Sequence, residues 1–123
     1  MHDGTCLVGQ VILVVEGGAR PFARQLQAAL ESMGAETLLA RTSAHAREHV
    51  GRYDFSAAVI DCGAALDTAE FRQLRKELGG MPLLLYGTAP PPYVPLRGAQ
   101  FLATSTASHA DDIVRAVTRL LSP

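Results

Sequence analysis

The sequence predicts an α/β protein, a parallel sheet covered by helices on both faces. Three observations lead there. Unbroken apolar runs recur along the chain, as in Val11-Ile12-Leu13-Val14-Val15, Ala57-Ala58-Val59-Ile60 and Leu83-Leu84-Leu85. Runs of this kind mark strands buried on both faces. Segments of helical periodicity alternate with them, and Gly or Pro punctuates most junctions. Strand–helix alternation argues for parallel pairing, and right-handed crossovers leave few topologies.

The elements follow in order. Residues 1–9 carry no periodicity and are expected to form a frayed lead-in. Gln10 to Glu16 is the first strand, apolar until its carboxylate. Gly17-Gly18-Ala19-Arg20-Pro21 is a turn, and Pro21 suits the first position of a helix. Phe22, Leu26, Ala29, Leu30 and Met33 recur on one helical face, and Gly34 is placed to cap its end. Glu36 to Ala40 is a second strand, expected near a sheet edge. Ser43 to Val50 reads as a short polar helix, capped by Thr42 or Ser43 and closed by Gly51. Ser56 to Asp61 is the third strand.

Thr68 to Leu78 is the third helix, with Phe71, Leu74 and Leu78 inward and Gly79-Gly80 as its stop. Pro82 to Tyr86 is the fourth strand. The stretch Ala89-Pro90-Pro91-Pro92-Tyr93-Val94-Pro95 cannot be a regular helix, because its prolines remove donors and clash. Gln100 to Ala103 is a short fifth strand. Ser108, with Asp111 three residues on, starts the last helix in the manner of a capping box. Ala110, Ile113, Val114, Val117, Leu120 and Leu121 form its apolar stripe.

Bulk composition narrows the function. At 123 residues the chain is expected to be one domain, spanning 10–123 after the lead-in. A net charge of −1 gives no electrostatic case for nucleic acid or a membrane surface. No apolar run reaches membrane-spanning length, and Met1-His2-Asp3-Gly4 does not start a signal peptide. Cys6 and Cys62 do not make a disulfide framework, which points to a reduced, cytoplasmic protein.

The chemically suggestive stretch is Ser56 to Gly63. Its apolar run ends in Asp61, followed by Cys62 and Gly63. In open α/β sheets, ligands bind outside the carboxyl ends of the strands, and Asp61 stands at such an end. The bland alternative is a solvated carboxylate accepting backbone N–H bonds.

Several elements together resemble a known family. They are Val11–Glu16 as strand one, Ile60-Asp61 closing strand three, Pro82–Tyr86 as strand four and Gly98-Ala99-Gln100-Phe101-Leu102 leading into strand five. In this order they resemble the receiver domain of two-component response regulators, over about Gln10 to Leu121. The resemblance implies a CheY-like (flavodoxin-like) fold, a doubly wound five-stranded parallel sheet of order 2-1-3-4-5. The family's fourth helix would be shortened or replaced by the Pro-rich loop.

The resemblance also implies a site. In the family an acidic pair closing strand one helps to hold Mg²⁺, and an aspartate ending strand three accepts phosphate. A Thr or Ser ends strand four and a Lys ends strand five. Metal and lysine neutralise charge on the transferred group. Asp61 matches the phosphoacceptor and Glu16 the first acid. Gly63 matches the position whose carbonyl binds metal. The second acid falls on Gly17, the lysine on Thr104, the proline after it on Ser105, and the strand-four hydroxyl on Gly87. Thr88, one place later, and Thr104 are the remaining candidates for contact with a phosphoryl group.

With Gly17 and Thr104 in those places, Mg²⁺ binding should be weakened, and no cofactor is required. The resemblance therefore implies a stand-alone, degenerate receiver, or pseudo-receiver, with no output domain. It would act in two-component signalling by binding a protein partner rather than as an enzyme. Partners it implies are a histidine kinase, a phosphotransfer protein or another signalling protein, with a homodimer as a further arrangement. Pro90, Pro91, Pro92, Tyr93 and Pro95 bias their loop toward polyproline II, which suits docking as well as a plain surface connection. One alternative is a working single-domain receiver phosphorylated on Asp61. Another is a small flavodoxin-like ligand-binding protein, although no phosphate loop for a flavin is present.

Other features read more plainly. His45 and His49 are spaced i, i+4, which suits zinc, but no third ligand accompanies them locally. They read as a solvated helix face. Cys62 reads as a small core residue, and Arg72, Arg75 and Lys76 as the polar face of the third helix. Glu16-Gly17-Gly18 lacks the spacing of a dinucleotide loop.

Overall fold

The computed structural model describes residues 7–15, 22–61, 68–87, 99–103 and 110–121. Five strands and four helices are described, alternating as far as β4, after which β5 is the next described element: β1 (Val11–Val15), α1 (Phe22–Ser32), β2 (Glu36–Ala40), α2 (Ser43–Arg52), β3 (Ala57–Asp61), α3 (Thr68–Leu78), β4 (Leu83–Gly87), β5 (Ala99–Ala103) and α4 (Ala110–Leu121). All strand pairs are parallel, in the order β2-β1-β3-β4-β5. This is the doubly wound order that the sequence implied.

Alternation along each strand divides the core in two. Ile12, Val14, Val59, Leu84 and Tyr86 pack with Leu26 and Leu30 of α1 and with Ile113, Val114 and Val117 of α4. Leu13, Val15, Ala58, Ile60, Leu83 and Leu85 face the other way, toward Ala46 of α2 and Leu78 of α3. Successive strand residues point to opposite faces. An unbroken apolar run therefore serves two cores, whereas an alternating run would leave one face wet. β2 stands at the edge, and its side chains are correspondingly less buried than those of β1.

The start of β3 is pinned to the start of β1. The Ser56 N–H donates to the Val11 carbonyl at 2.7 Å, and the Val11 N–H donates to Ser56 Oγ at 3.2 Å. This reciprocal pair sets the register, and five residues later the strand delivers Asp61.

Three local readings need correction. The frayed lead-in expected over 1–9 is not what Leu7 shows. Its side chain is 1% exposed within the α1–α4 core, and its N–H donates to the Met33 carbonyl at 2.8 Å. A single apolar residue buried by tertiary contact leaves no periodic trace. Helix α2 also runs on through Gly51 to Arg52, ending where Tyr53 turns extended and donates to the His49 carbonyl. Gly51 has open space around it, so it neither clashes nor caps. Finally, β4 runs from Leu83 through Gly87 rather than stopping at Tyr86, because Gly87 pairs with Ala103.

Other expectations stand as read. Thr42 caps α2, its Oγ accepting from the His45 N–H at 3.0 Å. Gly34 and Gly79 end their helices at φ of +98° and +64°, the left-handed region where glycine carries no Cβ penalty. The side chains of Phe71 and Leu74, the Ser108 cap and the Pro-rich stretch lie outside what the structure describes.

Gly34 has a second constraint that Gly79 lacks. A methyl group on Gly34 would run into the Val8 side chain, whereas one on Gly79 would meet open space. Gly34→Ala is therefore expected to cost about 1–3 kcal/mol, and more than Gly79→Ala. Urea unfolding of the two variants beside the parent checks both the sign and the order.

Candidate functional site

The carboxyl ends of the central strands lie side by side. Val15 pairs with Ile60, Asp61 with Tyr86, and Gly87 with Ala103. Asp61 is the last residue of β3 and is half-buried, unlike the four fully buried residues before it. Its position follows from the sequence: the apolar run ends, and the first polar side chain stands where the sheet meets its rim. A carboxylate so placed keeps access to water and to a ligand.

Strand parity fixes the face of Asp61. Val59, two residues earlier, belongs to the α1–α4 core, so Asp61 is on that side of the sheet. Its register partner Tyr86 belongs to the same core and is 4% exposed. Tyr86 is a neighbour that sequence reasoning missed. The available signal was an aromatic residue with a polar tip at the end of an otherwise leucine-rich strand.

The other residues read as a site divide by where they fall. Gly87 is described, as the end of β4. Glu16, Gly17, Gly63, Thr88, Thr104 and Ser105 lie outside the described residues, as do Cys62 and the loop residues Pro90, Pro91, Pro92, Tyr93 and Pro95. Glu16, Thr88 and Thr104 each follow directly, in sequence, on a described strand end. The structure thus brings Asp61, Tyr86 and Gly87 together.

Whether the donor set suits Mg²⁺ can be judged from residue types. Mg²⁺ demands oxygen ligands in near-octahedral geometry and is usually held by one or two carboxylates. Asp61 supplies one, and Glu16 is a second on the family's pattern. Gly17 offers no side-chain oxygen. By residue type, the set offers carboxylate oxygens of the kind Mg²⁺ takes. Among the described residues, no three His, Cys, Asp or Glu side chains group as a metal site.

His45 and His49 have structural work on α2. His45 Nδ1 accepts from the Arg41 N–H at 3.4 Å, while Thr42 accepts from the His45 N–H. The His45 side chain thus reaches back to the backbone N–H of the residue before the cap, while its own N–H is held by the cap. His49 Nε2 lies 3.3 Å from the carbonyl of Leu39, on edge strand β2. The two rings stack with centroids 4.5 Å apart, and Tyr53 and Phe55 continue the contact. Arg47 pairs with Glu77 at 3.0 Å, tying α2 to α3 at the surface.

No protein-family model matches the chain, and no curated protein sequence matches it. Solved structures do. A response regulator receiver protein from Sinorhizobium medicae is 19% identical, with a TM-score of 0.70, over 91% of this chain and 94% of that one. A CheY-like receiver domain from Methanospirillum hungatei is 17% identical, with a TM-score of 0.74, over 91% and 93%. The receiver domain of a signal transduction histidine kinase from Syntrophus aciditrophicus is 22% identical, with a TM-score of 0.70, over 92% and 90%. The chain therefore has the CheY-like fold of response regulator receiver domains. At such identities the likeness establishes the fold and leaves the chemistry to the residues.

Asp61 is a half-buried carboxylate at the rim of the sheet. Asp61→Asn is expected to change stability by no more than about 1 kcal/mol. Thermal and denaturant melts of the variant would show this, and a larger loss would give the carboxylate a structural role.

Proposed function

We propose that the chain is an atypical receiver-type module acting in signal transduction by binding a protein partner, with weak or absent phosphorylation of Asp61. One observation carries this reading. On a receiver fold, the acceptor position holds Asp61, while the positions for the second acid and the lysine hold Gly17 and Thr104. Without that second carboxylate, magnesium is held less tightly. Without the lysine, the negative charge of an acyl phosphate has one fewer counter-charge. Asp61 keeps its place in the fold while its reactivity is reduced.

The partner would be a histidine kinase, a phosphotransfer protein or another signalling protein. Receiver domains within histidine kinases are among the solved structures this chain is similar to. On this reading the protein is not an enzyme, it works in the cytoplasm, and Mg²⁺ is a weak ligand rather than a required cofactor. No helix among the described residues is long and apolar enough to cross a membrane.

The test is direct. The protein is incubated with acetyl phosphate and Mg²⁺, and its intact mass is recorded. The expected result is substoichiometric phosphate. Stoichiometric, Mg²⁺-dependent phosphate that disappears in Asp61→Asn would replace this reading with a working receiver. Restoring the missing acid gives a complementary prediction. Gly17→Asp is expected to tighten Mg²⁺ binding by roughly tenfold, equivalent to about 1.4 kcal/mol, as measured by calorimetric titration.

A further inference from the structure

We propose that the outer edge of β2 is a pairing surface for a second copy of this chain, and that His45 and His49 hold it shut by standing in for one residue of a sixth strand. The inference is independent of Asp61 and its chemistry. β2 ends the sheet, with β1 on one side and no further described strand on the other. In a strand, the N–H and C=O of one residue point to the same side, and those of the next residue point to the opposite side. The Glu36 N–H donates to the Gln10 carbonyl at 2.9 Å, so Glu36, Leu38 and Ala40 face β1. Thr37, Leu39 and the following Arg41 turn their backbone groups outward.

Helix α2 takes two of these outward groups. The Leu39 carbonyl lies 3.3 Å from His49 Nε2, and the Arg41 N–H donates to His45 Nδ1 at 3.4 Å. A carbonyl only accepts and an amide N–H only donates. His49 therefore carries a proton on Nε2 in this contact, and His45 presents a bare Nδ1. A residue of a sixth parallel strand lying opposite Ala40 would make the same two bonds, its N–H to Leu39 and its C=O to Arg41. The histidine pair imitates that residue with side chains. Both rings are half-buried and stacked at 4.5 Å, so each limits the rotation of the other, and Tyr53 extends the stack.

The rest of the row fits a copy of itself. The outward N–H and C=O of Thr37 and the N–H of Leu39 have no partner among the described residues. About a two-fold axis at Leu38, Thr37 of one copy stands opposite Leu39 of the other, and each such pair exchanges both of its N–H···O bonds. Glu36 falls opposite Ala40, so no like charges are opposed. The two-fold match and the lack of opposed charges favour a copy of this chain over an unrelated strand. Both pairs need a Leu39 carbonyl, and that oxygen is the one His49 holds. Lengthening the ladder needs the Arg41 N–H, which His45 holds. An edge strand is ordinarily an open template for another chain. Here the groups that a second copy would use are occupied from within.

Sedimentation velocity tests this on the parent and on the double variant His45→Ala, His49→Ala. At a concentration where the parent runs as one species, the double variant is expected to show a further species of twice the parent's mass. Adding Thr37→Pro removes an outward N–H that β1 does not use, and should return the double variant to the parent's size. Ala46→Gly loosens the same helix without touching the edge, and should sediment as the parent does. Amide exchange reads the contact inside one molecule: the Arg41 N–H should exchange faster in His45→Ala by roughly fivefold or more. A double variant that keeps the parent's size overturns the proposal, as does an association that survives Thr37→Pro. Equal association in Ala46→Gly would assign the effect to a loosened helix and overturn it too. An unchanged Arg41 exchange rate overturns the part given to His45. If the double variant fails to fold, His49→Ala decides by the same criteria, because the pairing needs the Leu39 carbonyl first.

Discussion

The structure depends on burying β1 and β3 from both sides. Ile12 to Val15 and Ala57 to Ile60 are almost completely enclosed, with alternate residues feeding two separate cores. That arrangement tolerates no slip. A shift of one residue would exchange the two sets of side chains between faces. The reciprocal pair between Ser56 and Val11 guards against it at the entry to β3. The place and face of Asp61 at the far end are consequences of this register. The candidate site is thus an outcome of core packing, reached five residues after the register is set.

The likeness to receiver domains and the proposed change in site residues answer to different physical demands. The fold needs apolar runs of the right length, helices with one apolar stripe, and turns between them. Many sequences meet that need, which is how identities of 14–22% accompany TM-scores of 0.68–0.74. Phosphoryl transfer needs particular charges at particular strand ends. On the proposed reading, Gly17 and Thr104 supply neither of those charges.

The sheet edge and its helix follow the same economy. β2 lies outermost, where strand backbones expose polar groups that invite pairing with another chain. His49 reaches the Leu39 carbonyl there, while His45 closes the helix start with Thr42. Thr37 is engaged as well, accepting from Gln27 and donating to Glu31. Two histidines whose spacing suggested a metal serve local closure. Their roles depend on backbone groups of β2 and of the turn after it, which no spacing rule within α2 reveals.

By itself the sequence determined the element order, the two-faced strands, the edge position of β2, the glycine stops at Gly34 and Gly79, and Asp61 as the end of β3. These follow from short-range rules, in which periodicity, apolar runs and turn chemistry are local. The proposed loss of an acid at Gly17 and of a lysine at Thr104 rests on residue type alone. Tertiary structure alone decided what depended on distant partners. Leu7 became core because α1 and α4 leave room for it. Helix α2 ran past Gly51 because nothing there opposed it, and β4 reached Gly87 because Ala103 was there to pair. Tyr86 became the neighbour of Asp61 because twenty-five positions of chain fold into a single crossover, and a register between strands is a contact that neither strand encodes alone.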